Sequence, residues 1–266
     1  MNLSKIQEEL HKDAKAWSVG TLGFRLLIYM TGSIAIFGYI GERWVPFILP
    51  FFALLSEITK WFSDNNKQSA EKFLRLLELN DGFGFALPKK EIGDRLANLP
   101  DRYRKLIQTD IDPYFGASHD VGVLRSMRNL EESAWWSKHV AQTSGRVYLA
   151  VTIFVVVLSI VALMISTSVL NGGPSAEKTV RVVTSTLMLL FSTTLLRSTI
   201  SYFRFSSAAK SAEGKAAQFV ISNSSDNALA LVTLFDYQSA RGSAPLLPNL
   251  IYRFRRNKLN SLWELR

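Results

Sequence analysis

Residues 147–170, VYLAVTIFVVVLSIVALMISTSVL, carry no charged side chain after Arg146 and are as long as a bilayer is thick. A helix rises about 1.5 Å per residue, so roughly 20 apolar residues cross the hydrocarbon core. No proline interrupts residues 120–170. One very long helix is therefore expected, running through VGVLRSMRNLEESAWWSKHVAQTSGRVY straight into the apolar run, with Ser118 or Asp120 as its cap. Such a helix is built for two solvents, and the rest of the fold follows from that.

Three further runs approach the same length: 21–40 (TLGFRLLIYMTGSIAIFGYI), 44–62 (WVPFILPFFALLSEITKWF) and 180–203 (VRVVTSTLMLLFSTTLLRSTISYF). Pro46 and Pro50 suit a first helical turn or a kink, while Glu57 lowers the apolar character of the second run. Either of the first two runs, taken singly, also reads as a soluble core helix. The four together predict an all-α membrane protein with four transmembrane helices in two hairpins. The connectors after Gly41 and Leu170 carry only Arg43, Lys178 and Arg181, and nearly all other lysine and arginine lies in 1–20, 60–146 and 204–266. By the excess of basic residues on the inner side, both termini and the middle segment are expected in the cytoplasm.

The expected divisions are 1–62, a polar N-terminal segment and first hairpin; 63–146, a cytoplasmic helical insert; 147–203, the second hairpin; and 204–266, a basic cytoplasmic tail. Residues 63–80 continue the second run as an amphipathic helix, with Phe73, Leu74 and Leu77 on one face. Asp81-Gly82 and Gly84 end it, and two short helical candidates follow in KKEIGDRLANL and PDRYRKLIQTDI. The fourth run continues into RFSSAAKSAEGKAAQF; SSDN breaks it, and ALALVTLFDYQSAR resumes the helical pattern.

The chain has no cysteine, which excludes disulfides, thiolate metal sites and cysteine nucleophiles. Its net charge of +9 and pI near 9.7 favour anionic partners, although an inner-side basic surplus is needed for topology alone. The N-terminal MNLSKIQEELHKDAKAW lacks the pattern of a cleaved secretory signal. His11, His119 and His139 have no metal-ligand spacing. DGFGFA lacks the context and third glycine of a dinucleotide loop, and the acidic pairs Glu131-Glu132 and Asp110/Asp112 read as solvated residues. No serine sits in a nucleophile elbow. The chain is not expected to be an enzyme or to hold a cofactor.

Charges and hydroxyls within the spans raise a second question. Arg25 and Glu57 fall at similar depths of the first hairpin, so they can pair as a gate or as a clamp between its helices. Thr186, Thr193, Arg197 and Ser201 share one face of the fourth run, which suits either an aqueous path or ordinary helix packing.

Two local patterns carry a resemblance: NLEESAWWSKHVA before the third run, and DYQSARGSAPLLPNLIYRFRRNKLNSLWE at the end. Through the second, Tyr237, Gln238, Arg241, Pro245, Pro248, Tyr252, Arg256, Leu259, Asn260 and Trp263, the chain resembles the SMODS-associating four-transmembrane effectors of CBASS anti-phage systems. The likeness extends over nearly the whole chain. It implies a bacterial inner-membrane effector linked to a cyclic-oligonucleotide synthase. Binding of that cyclic oligonucleotide second messenger would drive a homo-oligomer to permeabilise the lipid bilayer and halt growth before phage release.

The residues suit that role. Between Asp236 and Glu264 there is no acidic residue, while Arg241, Arg253, Arg255, Arg256 and Lys258 are present. Arginine forks hold phosphates, and Tyr or Trp faces stack on bases. The candidate ligand set is Arg125, Arg128, Trp135, Trp136, Tyr237, Arg241, Tyr252, Arg253 and Arg256; the candidate gate or pore set is Arg25, Glu57, Thr186, Thr193 and Arg197. The prolines at 245 and 248 form a corner that lets the last helix fold back. Alternatives stand beside each reading. The tryptophan pair suits a core or an interfacial anchor, and Ile251, Phe254, Leu262 and Leu265 share an arc fit to lie on anionic lipid. As a whole, a constitutive ion channel or transporter and a membrane scaffold docking a cytoplasmic partner compete with the effector.

Overall fold

The computed structural model describes residues 2–36, 44–108, 115, 119–169, 180, 182–183 and 195–265, and among them there is no strand. The helices are α1 (Leu3–Ile36), α2 (Val45–Phe83), α3 (Lys89–Ala97), α4 (Asp101–Arg104, continued as a 3-10 turn, Lys105–Gln108), α5 (Val123–Val169), α6 (Leu195–Ser222), α7 (Asn227–Ser243) and α8 (Asn249–Trp263). The expected long helix is α5, 47 residues without a break.

Helix ends follow local chemistry. Gly84, at φ +73, lets the chain leave α2, and the Gly84 and Phe85 N–H groups donate to the Asn80 and Leu79 carbonyls. Asn223, at φ 49, closes α6: Ser224 N–H reaches the Phe219 carbonyl and Asn223 N–H that of Val220, a Schellman arrangement. Asp226 then caps α7, accepting from Leu229 N–H at 3.0 Å. The start of α5 departs from expectation. Asp120 precedes Gly122, whose carbonyl accepts the first helical bond from Ser126 N–H, and Ser118 lies outside the described residues. Gly122 N–H instead donates to the Gly82 carbonyl at 2.8 Å, so a tertiary contact sets this end. A Cβ on Gly82 would lie 2.7 Å from the Ser126 Cβ, so α2 and α5 meet there without room for a side chain.

The contacts divide the chain into two units: 1–14, 64–143 and 202–266 in the first, and 15–63 with 144–201 in the second. The first unit therefore takes in the N-terminal 14 residues, which the sequence reading grouped with the first hairpin. They belong there because Leu3, Ile6 and Leu10 are buried with Ala70, Phe73, Ile92, Leu96 and Tyr103. A second core of this unit joins Met127, Leu130, Ala134, Phe205, Ala209, Phe219, Leu234 and Tyr237. Its third is small: Trp135, Val140 and Leu259, with Trp136, Leu247, Ile251 and Trp263 against them. The Pro245–Pro248 corner turns the chain so that α8 reaches α5.

The second unit has the opposite pattern. Thr21, Ser56, Thr59, Ser63, Thr152, Ser159 and Thr199 are buried, whereas Leu26, Met30, Phe51, Leu54, Ile153, Phe154, Val157 and Ile160 are exposed. Buried hydroxyls bond locally or to one another: Thr59 and Ser159 donate to carbonyls one turn back, and Thr21 donates to Thr59 at 3.0 Å. Hydroxyl-lined contacts inside and apolar side chains outside suit a hydrocarbon solvent.

Among the described residues one helix is long and apolar enough to cross a membrane, Val123–Val161; only 24% of its apolar window is buried, unlike a soluble core helix. Apart from the turn at Trp44, the described parts of the first and second runs are helical, and half of the fourth run lies outside the described residues.

Candidate functional site

The sequence-nominated cations separate into two environments. On α7, Arg241 is inserted among carboxylates from α2. Its Nε donates to Glu71 at 2.8 Å, and its two terminal nitrogens to Glu78 at 2.6 and 3.1 Å. Gln238 donates to Glu78 at 2.7 Å, His11 of α1 sits 3.6 Å from Glu71, and the Arg241 side chain is 11% exposed. Lys67 donates to the Gly242 carbonyl at 2.7 Å and also to that of Ala244. Burial opposes the charge on Arg241, but Glu78 and Glu71 outweigh it and hold its pKa well above the ordinary value. Burial also lowers the pKa of Lys67.

Tyr237 and Arg241, nominated as ligand residues, are thus committed to the interior. The Tyr237 hydroxyl lies 3.1 and 2.8 Å from those of Ser133 and Ser137, and its ring lies under the Arg241 guanidinium. Arg125 is likewise taken: it forks onto Asp81 at 3.1 and 2.6 Å, and Asn129 donates to the same carboxylate. These groups lock α2, α5 and α7 together and leave no open receptor for phosphate.

The second environment lies between α5 and α8. Trp135 is 5.7 Å from Trp136, 4.8 Å from His139 and 5.3 Å from Trp263 by ring centroids, and Trp136 is 6.0 Å from Tyr252. The spacing 252, 256, 259, 263 brings one edge of α8 to this aromatic group. Arg128 stands 5.0 Å over the Trp263 ring while paired with Glu131 at 2.7 Å. Lys138, nearby in sequence, is held by Glu213. Trp135 is buried, Trp136 and Trp263 are half-buried, and Tyr252, Arg253 and Arg256 are exposed. Among the described residues no carboxylate pairs with Arg253, Arg255 or Arg256, and the buried Nε of Arg255 has no hydrogen-bond partner. Half-exposed aromatic faces beside uncommitted guanidinium groups can stack on a base and hold a phosphate.

In the second unit, Arg25 and Glu57 are brought together at 3.7 Å, and Arg25 also donates to Ser56 at 3.3 Å. Glu57 is exposed. Arg197 is exposed on α6; Thr186 and Thr193 lie outside the described residues. An open cleft of about 270 Å³ is lined by Lys215, Gln218, Phe219, Ser222, Ser224, Leu229 and Thr233, none of them nominated from sequence. The sequence reading also passed over Glu71 and Glu78. Their signal was present: at positions 71, 74 and 78 two acids share the helical face of a core leucine. Among the described residues no cluster of three or more His, Asp or Glu could hold a metal ion.

The fold and these contacts define an all-α protein with a membrane-length apolar helix and a separately packed helical unit. The chain matches no family model, no curated protein and no solved structure.

Proposed function

We propose that the chain is a ligand-gated membrane effector, not an enzyme, in which the edge shared by α5 and α8 receives a cyclic oligonucleotide. The observation that carries this is the aromatic group Trp136, Tyr252 and Trp263 set beside Arg128 and the uncommitted Arg255 and Arg256. Each base has a face to stack and each phosphate needs a fork, and this edge supplies both kinds of contact. In this reading four spans anchor the chain in a bacterial inner membrane with both termini inside, and copies assemble. α5 carries Trp135 and Trp136 in the same unbroken helix as the apolar run, so a shift at the ligand edge passes along a stiff element. The consequence is a permeable bilayer and arrested growth, in the manner of the anti-phage effectors the sequence resembles.

Dye-loaded liposomes bearing the full chain test this. Cyclic oligonucleotides should release dye from vesicles with the parent chain, and Arg256→Glu, on an exposed position, should abolish release while insertion is retained. Release that is equal with and without any nucleotide would make the protein a constitutive channel. No release under any condition would favour a scaffold.

A further inference from the structure

The side of α8 turned away from the ligand edge carries a feature that nucleotide binding does not use. Leu250, Phe254 and Leu265 are 80%, 84% and 82% exposed. At 3.6 residues per turn Leu250 and Phe254 lie about 40° apart on α8, and Leu265 follows just past the end of the helix. Leu259, on the opposite side, packs with Trp135 and Val140, and Ile251, on the border between the two faces, packs partly against them. The arc read from sequence is therefore split: Ile251 joins the core, whereas Phe254 and Leu265 face outward. Arg253 and Lys258 flank the outer stripe on its two borders, and no carboxylate occurs between Asp236 and Glu264.

We infer that this outer stripe of α8 lies in the headgroup region of an anionic bilayer, with Leu250, Phe254 and Leu265 among the acyl chains and Arg253 and Lys258 on lipid phosphates. A helix of low overall hydrophobicity with leucine and phenylalanine on one side and bordering cations has the physical form of an in-plane membrane helix. Each cation near an anionic surface raises partition by roughly fivefold. Such a helix binds weakly alone, but the membrane-length part of α5 keeps it at high local concentration at a bilayer. The competing occupant is the outer face of α7 in a second copy, where Leu229, Val232 and Phe235 are exposed beside Asp226 and Asp236.

Because the chain has no cysteine, Phe254→Cys and, separately, Leu250→Cys give single labelling sites. The full chain bearing an environment-sensitive nitrobenzoxadiazole label is reconstituted into phosphatidylcholine vesicles with and without phosphatidylglycerol. Blue-shifted emission, quenched several-fold by acyl-chain doxyl lipid and stronger with phosphatidylglycerol, is the expected result. Lys258→Gln should weaken the shift. Water-like emission at both sites in both lipids overturns the inference. Blue-shifted emission that doxyl lipid leaves unquenched also overturns it and assigns the stripe to a protein contact. None of these readouts requires a nucleotide, so the inference stands or falls apart from the proposed function.

Discussion

Arg241 and Arg256 lie on adjacent helices of one unit, fifteen residues apart in sequence, yet have opposite fates. Arg241 is surrounded by two buried carboxylates and a buried glutamine, and every guanidinium nitrogen is engaged. Arg256 stands on a helix that itself carries no acid, and among the described residues it has no ion-pair partner. Residue type alone does not make an anion receptor. What decides is whether carboxylates from elsewhere in the chain arrive first.

The sharpest way to break this contrast is Arg241→Met. Removing the cation leaves the buried Glu71 and Glu78 without their guanidinium partner, and the expected cost is about 3–5 kcal/mol in denaturant unfolding of the solubilised chain. A loss under about 1 kcal/mol would mean that the lock contributes little. The next effect is smaller and depends on pH. Tyr103 is another interior group tied to an acid: its hydroxyl donates to Asp13, and burial followed by that bond raises its pKa from 10.0 to about 12. The unfolded tyrosine releases its proton first, so the native state binds more protons between those values and stability falls as pH rises through the window. Tyr103→Phe should flatten that decline between pH 10 and 12; an unchanged decline in thermal unfolding would remove Tyr103 from the account. Smallest of all is Arg253→Ala on α8, expected within about 0.5 kcal/mol of the parent in the same unfolding assay, because the side chain is exposed and makes no ion pair among the described residues. A loss comparable to that at Arg241 would erase the distinction between the two helices.

Much of the fold was legible because helices announce themselves locally. The uninterrupted stretch before Val169 became α5, the Gly84 and Pro88 signals separated α2 from α3, and the tail prolines made the corner before α8. What sequence could not supply was long-range company. Glu71 and Glu78 are more than 160 residues from Arg241, and Asp81 lies 44 before Arg125. No periodicity within a single helix reports such partners. The same holds for the start of α5, where the Gly82 carbonyl, not a side-chain cap, takes the Gly122 N–H. At the candidate site the aromatic half was readable, since Trp135, Trp136, Tyr252 and Trp263 do meet, as does Arg128. Tyr237, Arg241 and Arg125 are positive or aromatic too, but their contacts are spent on the protein itself.

Equilibrium binding of cyclic oligonucleotides to the purified full chain, followed by tryptophan fluorescence, tests the central claim most directly. Saturable quenching is expected for the parent chain, with Arg256→Glu and Trp136→Ala each weakening affinity by at least about tenfold, and with the unfolding midpoint of the exposed-site variant Arg256→Glu unchanged. Saturable binding that both variants retain in full would contradict the claim that the α5–α8 edge is the receptor.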